Sequence, residues 1–192
     1  NIHFNSLSCL HLDRSDRIWY GTNGSGLGVV SDSGNRRINY KEMLSNVVIR
    51  DLAEDRLGNL FIATADLGVI SVNIYSHNFV VKNITNKDGQ KFNNISSVFC
   101  DERNDLWLGG AKGVTLLIKP LRNVKEIISY GLSEGFTGLE NNQGAVCSDL
   151  NQNIWRGTIN GVMRKTSFDL TRNGHQPKIS LSSVNLFYKN IQ

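Results

Sequence analysis

The chain has 192 residues, 40% of them hydrophobic and 20% charged, and a net charge of +4 at pH 7. This is the balance of an ordinary globular domain with enough apolar material for a core, so a disordered chain is excluded. The basic residues are scattered apart from Arg36-Arg37, and nucleic-acid-binding surfaces carry a basic stripe, so we expect no nucleic acid partner.

Targeting and metal-binding patterns are not predicted either. No apolar run is long enough to cross a bilayer, and the segment after Asn1 lacks the charged start and apolar core of a signal peptide. Cys9, Cys100 and Cys147 show no C-x-x-C spacing, so neither a disulfide framework nor a zinc site is indicated. We expect three packing thiols, no metal ion and no cofactor.

Four related segments follow one another along the chain. They read DRIWYGTNGSGLGVV (16–30), GNLFIATADLGVI (58–70), DLWLGGAKGV (105–114) and QNIWRGTINGVM (152–163). Their aromatic residues, separated by 42, 46 and 48 positions, are Trp19, Phe61, Trp107 and Trp155. An aspartate stands six positions before each of them: Asp13, Asp55, Asp101 and Asp149.

Each unit is predicted to contain four short strands. Alternating stretches bounded by Asp, Asn and Gly are typical of strands and turns, and in the third unit they lie at 95–101, 105–109, 113–119 and 126–130. No window shows convincing helical periodicity, since the best one, LSEGFTGLENN (132–142), carries two glycines. A four-stranded unit of roughly 40 to 50 residues is typical of a β-propeller blade.

The predicted fold is therefore all-β, with four four-stranded blades forming a partial, open propeller. One such sheet can cover both faces only by stacking between neighbours, and four blades leave the outer faces of the first and last sheets uncovered. We expect repeat cores at about 6–40, 46–82, 94–130 and 142–170, all within 1–176. The uncovered faces predict either self-association or a chain taken from a longer protein.

The repeated aspartates and aromatics are predicted to be structural. Each aspartate begins the hairpin between the first and second strands, where a short carboxylate can accept hydrogen bonds from turn amides. Strict repetition places the carboxylates one per blade, far from one another, which disfavours a metal site or a catalytic pair.

The repeat resembles the two-component regulator propeller repeat. The similarity lies in the spaced apolar residues before the acid, the Gly or Asn turn, the apolar-Trp-apolar-Gly-Thr core and the final Gly-Leu or Gly-Val. IRDLAEDRLGNLFIATADLGVISVN (49–73) matches well despite Phe61. Residues 131–166 look like a closing blade, and 177–192 are similar to a linker and first strand of the immunoglobulin-like triple-tyrosine domain that follows such arrays.

This resemblance implies a piece of a periplasmic sensor. Such sensors are joined through a membrane helix of the parent protein to a histidine kinase, often a hybrid with its own response regulator. Many recognise oligosaccharides and are thought to signal as dimers, which implies an oligosaccharide or other small ligand and a homodimer. The chain has no kinase motifs, so it is expected not to be an enzyme itself.

Three residues depart from the repeat. Gln143 stands where an apolar residue is expected, Gly110 replaces threonine, and Arg156 takes the slot of Tyr20, Ile62 and Leu108. An arginine between blades is costly unless it is paired. Either the last blade exposes that face to a neighbouring domain, which we favour because terminal repeats are atypical, or Arg156 binds an acidic ligand.

Candidate ligand-binding residues lie in the loops between second and third strands. In propellers these loops share one rim with the connections between blades, predicted near 41–46, 86–94 and 131–142, and loops on a rigid scaffold carry binding sites. The candidates, together with Arg156, are Asn23, Asp66, Lys112 and Asn160.

Three function classes stay open at this point. A non-enzymatic ligand-sensing module is favoured over a propeller enzyme of lyase or lactonase type and over a protein-interaction scaffold. Catalysis needs convergent bases, nucleophiles or metal ligands, whereas the histidines occupy unlike positions in their units: His3, His11, His77 and His175.

Overall fold

The computed structural model describes residues 6–31, 34–38, 44, 46–76, 81–84, 92–121, 126–138, 140–165, 184–186 and 189–191. Over these residues the chain is all-β, as predicted, with one short 3-10 helix at Leu132–Glu134. Within this described part, no helix is long and apolar enough to span a membrane.

The strands form four antiparallel sheets that follow one another in chain order. The first contains β1 (Leu7–Leu12), β2 (Ile18–Thr22), β3 (Leu27–Ser31) and β4 (Gly34–Ile38). The second contains β5 (Ile49–Glu54), β6 (Asn59–Thr64), β7 (Val69–Asn73) and β8 (Val81–Ile84). The third contains β9 (Ile95–Cys100), β10 (Leu106–Gly110), β11 (Gly113–Ile118) and β12 (Glu126–Tyr130). The fourth contains β13 (Asn141–Ser148), β14 (Ile154–Thr158) and β15 (Gly161–Lys165).

The four strands of the third sheet agree with the predicted ones to within one residue at each end. The predicted core of the fourth unit extends to residue 170, and residues 166–170 lie outside the described part. Near the end of the chain, β16 (Val184–Leu186) pairs with β17 (Lys189–Ile191) as a separate hairpin. That this segment begins a following domain stays a prediction.

The sheets pack face to face, and in the first three units the aromatic residue packs against the next sheet. Trp19 packs with Leu52 and Ile62 of the second sheet, while Phe61 packs with Leu108 of the third. Alternation along a strand sends neighbouring side chains to opposite faces, so one strand contributes to two layers. Trp19 and Phe61 are fully buried, and Trp107 nearly so.

The first strands of successive sheets contact one another, β1 with β5, β5 with β9 and β9 with β13. Neighbouring sheets approach each other closely because a small residue stands two positions after each aromatic residue. A Cβ at Gly21 would lie 2.5 Å from Ile49 Cγ2, a distance that side chains do not tolerate. Glycine at this position therefore sets the spacing between the first and second sheets.

The repeated aspartates close the hairpins between first and second strands. In all four units the carboxylate accepts hydrogen bonds from the backbone N–H groups two and four residues later. Its other oxygen accepts from the indole Nε1 of Trp19, Trp107 or Trp155 at 2.7 to 2.9 Å. Phe61 has no donor, and in the second unit Asn59 Nδ2 donates to Asp55 instead.

The fourth sheet contains a larger bulge than the others, which corrects the sequence alignment. In the first two sheets Leu7 and Ile49 lie opposite Thr22 and Thr64, and the equivalent partner of Thr158 is Asn141. Gln143 is exposed inside the bulge, beside Gly144 with a φ of 61°. Gln143 is thus not a substitution in the apolar position, because the strand carries extra residues.

Candidate functional site

The loops between second and third strands lie on one rim of the molecule, together with the segments that lead into first strands. Asn23 N–H donates to Ser6 O, Ala65 N–H to Val48 O and Ile159 N–H to Glu140 O, at 3.0 to 3.1 Å. We call this surface the loop rim and define it by the loops at 23–25, 65–66, 111–112 and 159–160.

Threonine fixes the shape of these loops. Thr22 Oγ1 donates to Gly26 O at 2.7 Å and accepts from Ser25 N–H at 2.8 Å, and Thr64 does the same with Gly68 and Leu67. The third unit has Gly110 at this position and cannot form these bonds. A cavity of about 710 Å³ lies at this loop.

All four rim candidates are exposed, and each belongs to a different sheet: Asn23, Asp66, Lys112 and Asn160. Lys112 lines the 710 Å³ cavity, whose wall also includes Asn93, Tyr130, Ser133 and Glu134. The amide of Asn160 donates to Thr137 O at 3.3 Å. The rim therefore combines a concave surface with amide, hydroxyl, aromatic and charged groups.

Arg156 does not lie on the rim. Its side chain is 4% exposed, and its β14 face packs against the third sheet, where Nη1 donates to Ser97 Oγ at 3.0 Å. The favoured expectation that this face is open to a neighbouring domain is wrong, because the third sheet of the same chain covers it. Burial lowers the pKa of Arg156 to about 10, and Asp51 opposes that shift, so the guanidinium is charged at pH 7.

Asp51 is an acidic residue near this guanidinium that sequence reasoning missed. Burial raises the pKa of Asp51 to about 6, against the opposing effects of hydrogen bonds from Val98 N–H and Leu52 N–H and of the Arg156 charge. The bond from Val98 N–H is 2.8 Å and joins the second sheet to the third. The sequence signal that could have found it is its position: Asp51 stands four residues before the repeated aspartate, where the neighbouring units have Cys9 and Ser97.

Cys9, Cys100 and Cys147 are free. Cys9 and Cys100 are half-buried, whereas Cys147 is exposed, so the expectation of a packing thiol is wrong for Cys147. Burial raises the pKa of Cys9 to about 11, and burial raises the pKa of Cys100 still further. Reactive thiols need a lowered pKa, so Cys9 and Cys100 are suited to packing.

Within the described ranges, no group of three or more His, Cys, Asp and Glu side chains is placed to hold a metal ion. His11 Nε2 lies 3.5 Å from Glu54 Oε2. His3, His77 and His175 fall outside the described residues.

Comparisons with known proteins identify the fold. No protein-family model and no curated protein matches the chain. Among solved structures, the extracellular domain of a protein described as a hybrid two-component system of B. thetaiotaomicron matches with a TM-score of 0.64 and 19% identity, over 85% of this chain and 22% of that one. A gluconolactonase of Xanthomonas campestris matches with a TM-score of 0.64 and 10% identity, over 84% and 57%. Virginiamycin B lyase of Staphylococcus aureus matches with a TM-score of 0.53 and 11% identity, over 83% and 55%.

At these identities the likeness is one of fold. The chain spans about a fifth of the length of the two-component extracellular domain that it matches and a little over half of the two enzymes. Sensor domains and enzymes therefore share this arrangement of sheets, and function has to be argued from the site.

Proposed function

We propose that this chain is a non-enzymatic ligand-sensing segment of the extracytoplasmic part of a two-component sensor histidine kinase. In this proposal its four sheets are blades of a propeller, it lies in the periplasm, and it binds an oligosaccharide or another small ligand at the loop rim. The parent chain carries the membrane helix and the kinase, and the signal crosses the membrane through them.

The observation that carries the proposal is the rim itself. Rigid, mutually buried sheets present four loops on one side, and the third of them opens into a cavity of about 710 Å³. Its wall offers amides, hydroxyls and an aromatic ring, which suit the hydroxyl groups and apolar faces of sugars. The repeat pattern and the fold shared with a two-component extracellular domain support the same assignment.

Calorimetry with a panel of neutral and acidic oligosaccharides tests this proposal on the chain and on two matched variants. Lys112→Ala changes the cavity wall, and Lys82→Ala removes an exposed lysine of the second sheet as the control. We expect saturable binding that Lys112→Ala weakens and Lys82→Ala leaves unchanged. Absence of binding in the chain and in the complete receptor, with signalling intact, would contradict direct sugar recognition.

The second candidate is a propeller enzyme, favoured by the fold shared with a gluconolactonase and a lyase. Hydrolysis of gluconolactone or cleavage of virginiamycin B by the chain, dependent on stoichiometric metal and lost on chelation, distinguishes this candidate. The sensing proposal predicts no turnover of either substrate class.

Association with a second copy forms part of the sensing proposal. The outer face of the first sheet exposes Leu10 by 64% and Ile18 by 43%, whereas their counterparts in the second sheet, Leu52 and Leu60, are buried. The same face exposes Leu12 by 63%. Light scattering with and without ligand measures the association. A stable monomer under both conditions would contradict this part of the proposal.

A further inference from the structure

The layer between the third and fourth sheets is packed differently from the other two. Among the described residues, the first layer has a cluster of 12 buried hydrophobic residues and the second a cluster of 10, whereas this one has 4. Six further hydrophobic residues pack against this cluster but are only half-buried. Two cavities of about 180 and 120 Å³ lie along this layer, and both are lined by Trp107, Ile154 and Lys165. Protein interiors are normally close-packed, so open space in one layer of a repeated design is a local feature that needs a reason.

The smaller cavity has an aromatic wall, and we call it the inter-sheet pocket. It is lined by Trp107, Tyr130, Phe136, Arg156, Met163 and Lys165. The rings of Trp107 and Tyr130 stack with centroids 5.8 Å apart. A cavity of about 150 Å³ holds a benzene ring, so the inter-sheet pocket, at about 120 Å³, admits one six-membered ring only if a wall side chain moves outward.

The pocket also carries a buried cation with unused hydrogen-bonding capacity. Arg156 is 4% exposed, and although Nη1 donates to Ser97, Nη2 has no hydrogen-bond partner in the described part of the chain. Leaving a donor of a buried charged group unsatisfied costs free energy, and a carboxylate is the natural acceptor for a guanidinium. Asp51 supplies a compensating charge but forms no ion pair with Arg156 among those described.

Charge and flexibility around Arg156 favour an anion of limited size. Lys165 Nζ lies 5.8 Å from the Tyr130 ring centroid on the same layer, and the opposing acid is Glu134. Met163 lies directly opposite Arg156 in the β14–β15 register. Nη2 is covered, and a flexible thioether is the kind of side chain that can move aside for an entering group.

We propose that the inter-sheet pocket binds a small carboxylate carried on a six-membered ring, with Arg156 as the anion-binding residue and Tyr130 and Phe136 as the walls that contact the ring. An acidic sugar such as a uronate and an aromatic acid share this chemistry. The site adjoins the loop-rim cavity, with which it shares Tyr130 and Glu134, but it differs from that cavity in having Arg156 in its wall. Its existence does not depend on the sensing role of the chain.

Titration of the 192-residue chain with four probes tests the proposal, with tryptophan fluorescence and calorimetry as readouts. Galacturonate is compared with galactose, and benzoate with benzyl alcohol, up to roughly 10 mM so that millimolar affinities are saturated. We expect at least one acid to bind at least roughly tenfold more tightly than its neutral partner. Binding of galacturonate alone assigns the ligand to acidic sugars, and binding of benzoate alone assigns it to aromatic acids.

Variants then locate the site. Arg156→Met is expected to weaken acid binding by roughly tenfold or more, and Arg156→Lys to weaken it less because the charge remains. Lys82→Met, at an exposed lysine of the second sheet, should leave it unchanged. Circular dichroism checks that each variant is folded. Equal binding of acids and neutral analogues, no binding of any probe, or unchanged acid binding in Arg156→Met would overturn the proposal.

Discussion

The hydrogen bond between the repeated aspartate and the aromatic residue is the smallest unit of this design. Asp13 is 3% exposed, and its carboxylate accepts from Trp19 Nε1 at 2.7 Å and from Arg17 Nε at 2.7 Å. Burial raises the pKa of Asp13, but the hydrogen bonds from Trp19, Arg17 and Ser15 outweigh it, and the net shift is downward. Asp13 thus links the turn between β1 and β2 to Trp19, whose ring is buried between the first and second sheets.

Replacing Trp19 by Phe tests this pair. Trp19→Phe keeps an aromatic ring in the layer but removes the indole donor, so a buried carboxylate loses one partner. We expect the free energy of unfolding to fall by about 1 to 3 kcal/mol in urea denaturation. Trp155→Phe is the matched control and should cost less, since both Trp155 and Asp149 are only half-buried. Equal losses in both variants would contradict the account.

Asp51 gives the chain a predicted pH dependence. The folded-state pKa of about 6 lies above the ordinary value of 3.8, so the folded state binds the proton more tightly than the unfolded state. Stability from this group is therefore greatest at low pH and is lost as pH rises through about 6. Relative to Asp51→Asn, we expect the wild-type free energy of unfolding to fall by roughly 2 kcal/mol between pH of about 4 and about 7.

Denaturant titrations of wild type, Asp51→Asn and Asp66→Asn over this pH range measure the difference. Asp66 is exposed on the same sheet, so its variant should follow the wild-type profile. Parallel profiles for wild type and Asp51→Asn would show that Asp51 is not buried as described.

At the level of strands, close approach of sheets rests on single glycines. A Cβ at Gly109 would lie 2.3 Å from Ser97 Oγ, 2.8 Å from Arg156 Nη1 and 3.0 Å from Asn141 Cγ. A Cβ at the next residue, Gly110, would approach no closer than 3.3 Å, to Asn94 O. Two adjacent glycines of β10 thus differ sharply in the space around them.

Alanine at these two positions gives a matched pair of variants. The methyl group of Gly109→Ala would displace the side chains of Ser97 and Arg156, which are hydrogen-bonded to each other. We expect this substitution to lower the free energy of unfolding by about 1 to 3 kcal/mol. Gly110→Ala should change it by much less. Thermal and urea unfolding of both variants measure the contrast, and a Gly109→Ala chain as stable as wild type would refute the described packing.

Sequence reasoning succeeded where the repeat determines structure. The strands of the third unit were predicted to within one residue because alternation and glycine turns are local signals. The bulge in β13 was missed, since alignment by fixed offsets assigned to Gln143 the position that Asn141 holds. Burial of Arg156 and the role of Asp51 depend on contacts between units far apart in the chain, which no local pattern contains.

For the molecule as a whole, the sheets differ in how they are covered. The second and third sheets have neighbours on both faces, whereas the first exposes Leu10 and Leu12, and the fourth exposes Val162 by 69%. Stability in such arrays is a sum of unit and interface contributions, so the inner sheets should open last. Among the described residues, the layer between the third and fourth sheets has a smaller cluster of buried hydrophobic residues than the other two layers. The fourth sheet should therefore open more easily than the second.

Amide hydrogen exchange along the chain tests the stacked arrangement most directly. We predict the slowest exchange in β6 (Asn59–Thr64) and β10 (Leu106–Gly110), with protection at least roughly tenfold greater than in β15 (Gly161–Lys165). Equal protection in all four sheets, or faster exchange in β6 than in β15, would contradict the account.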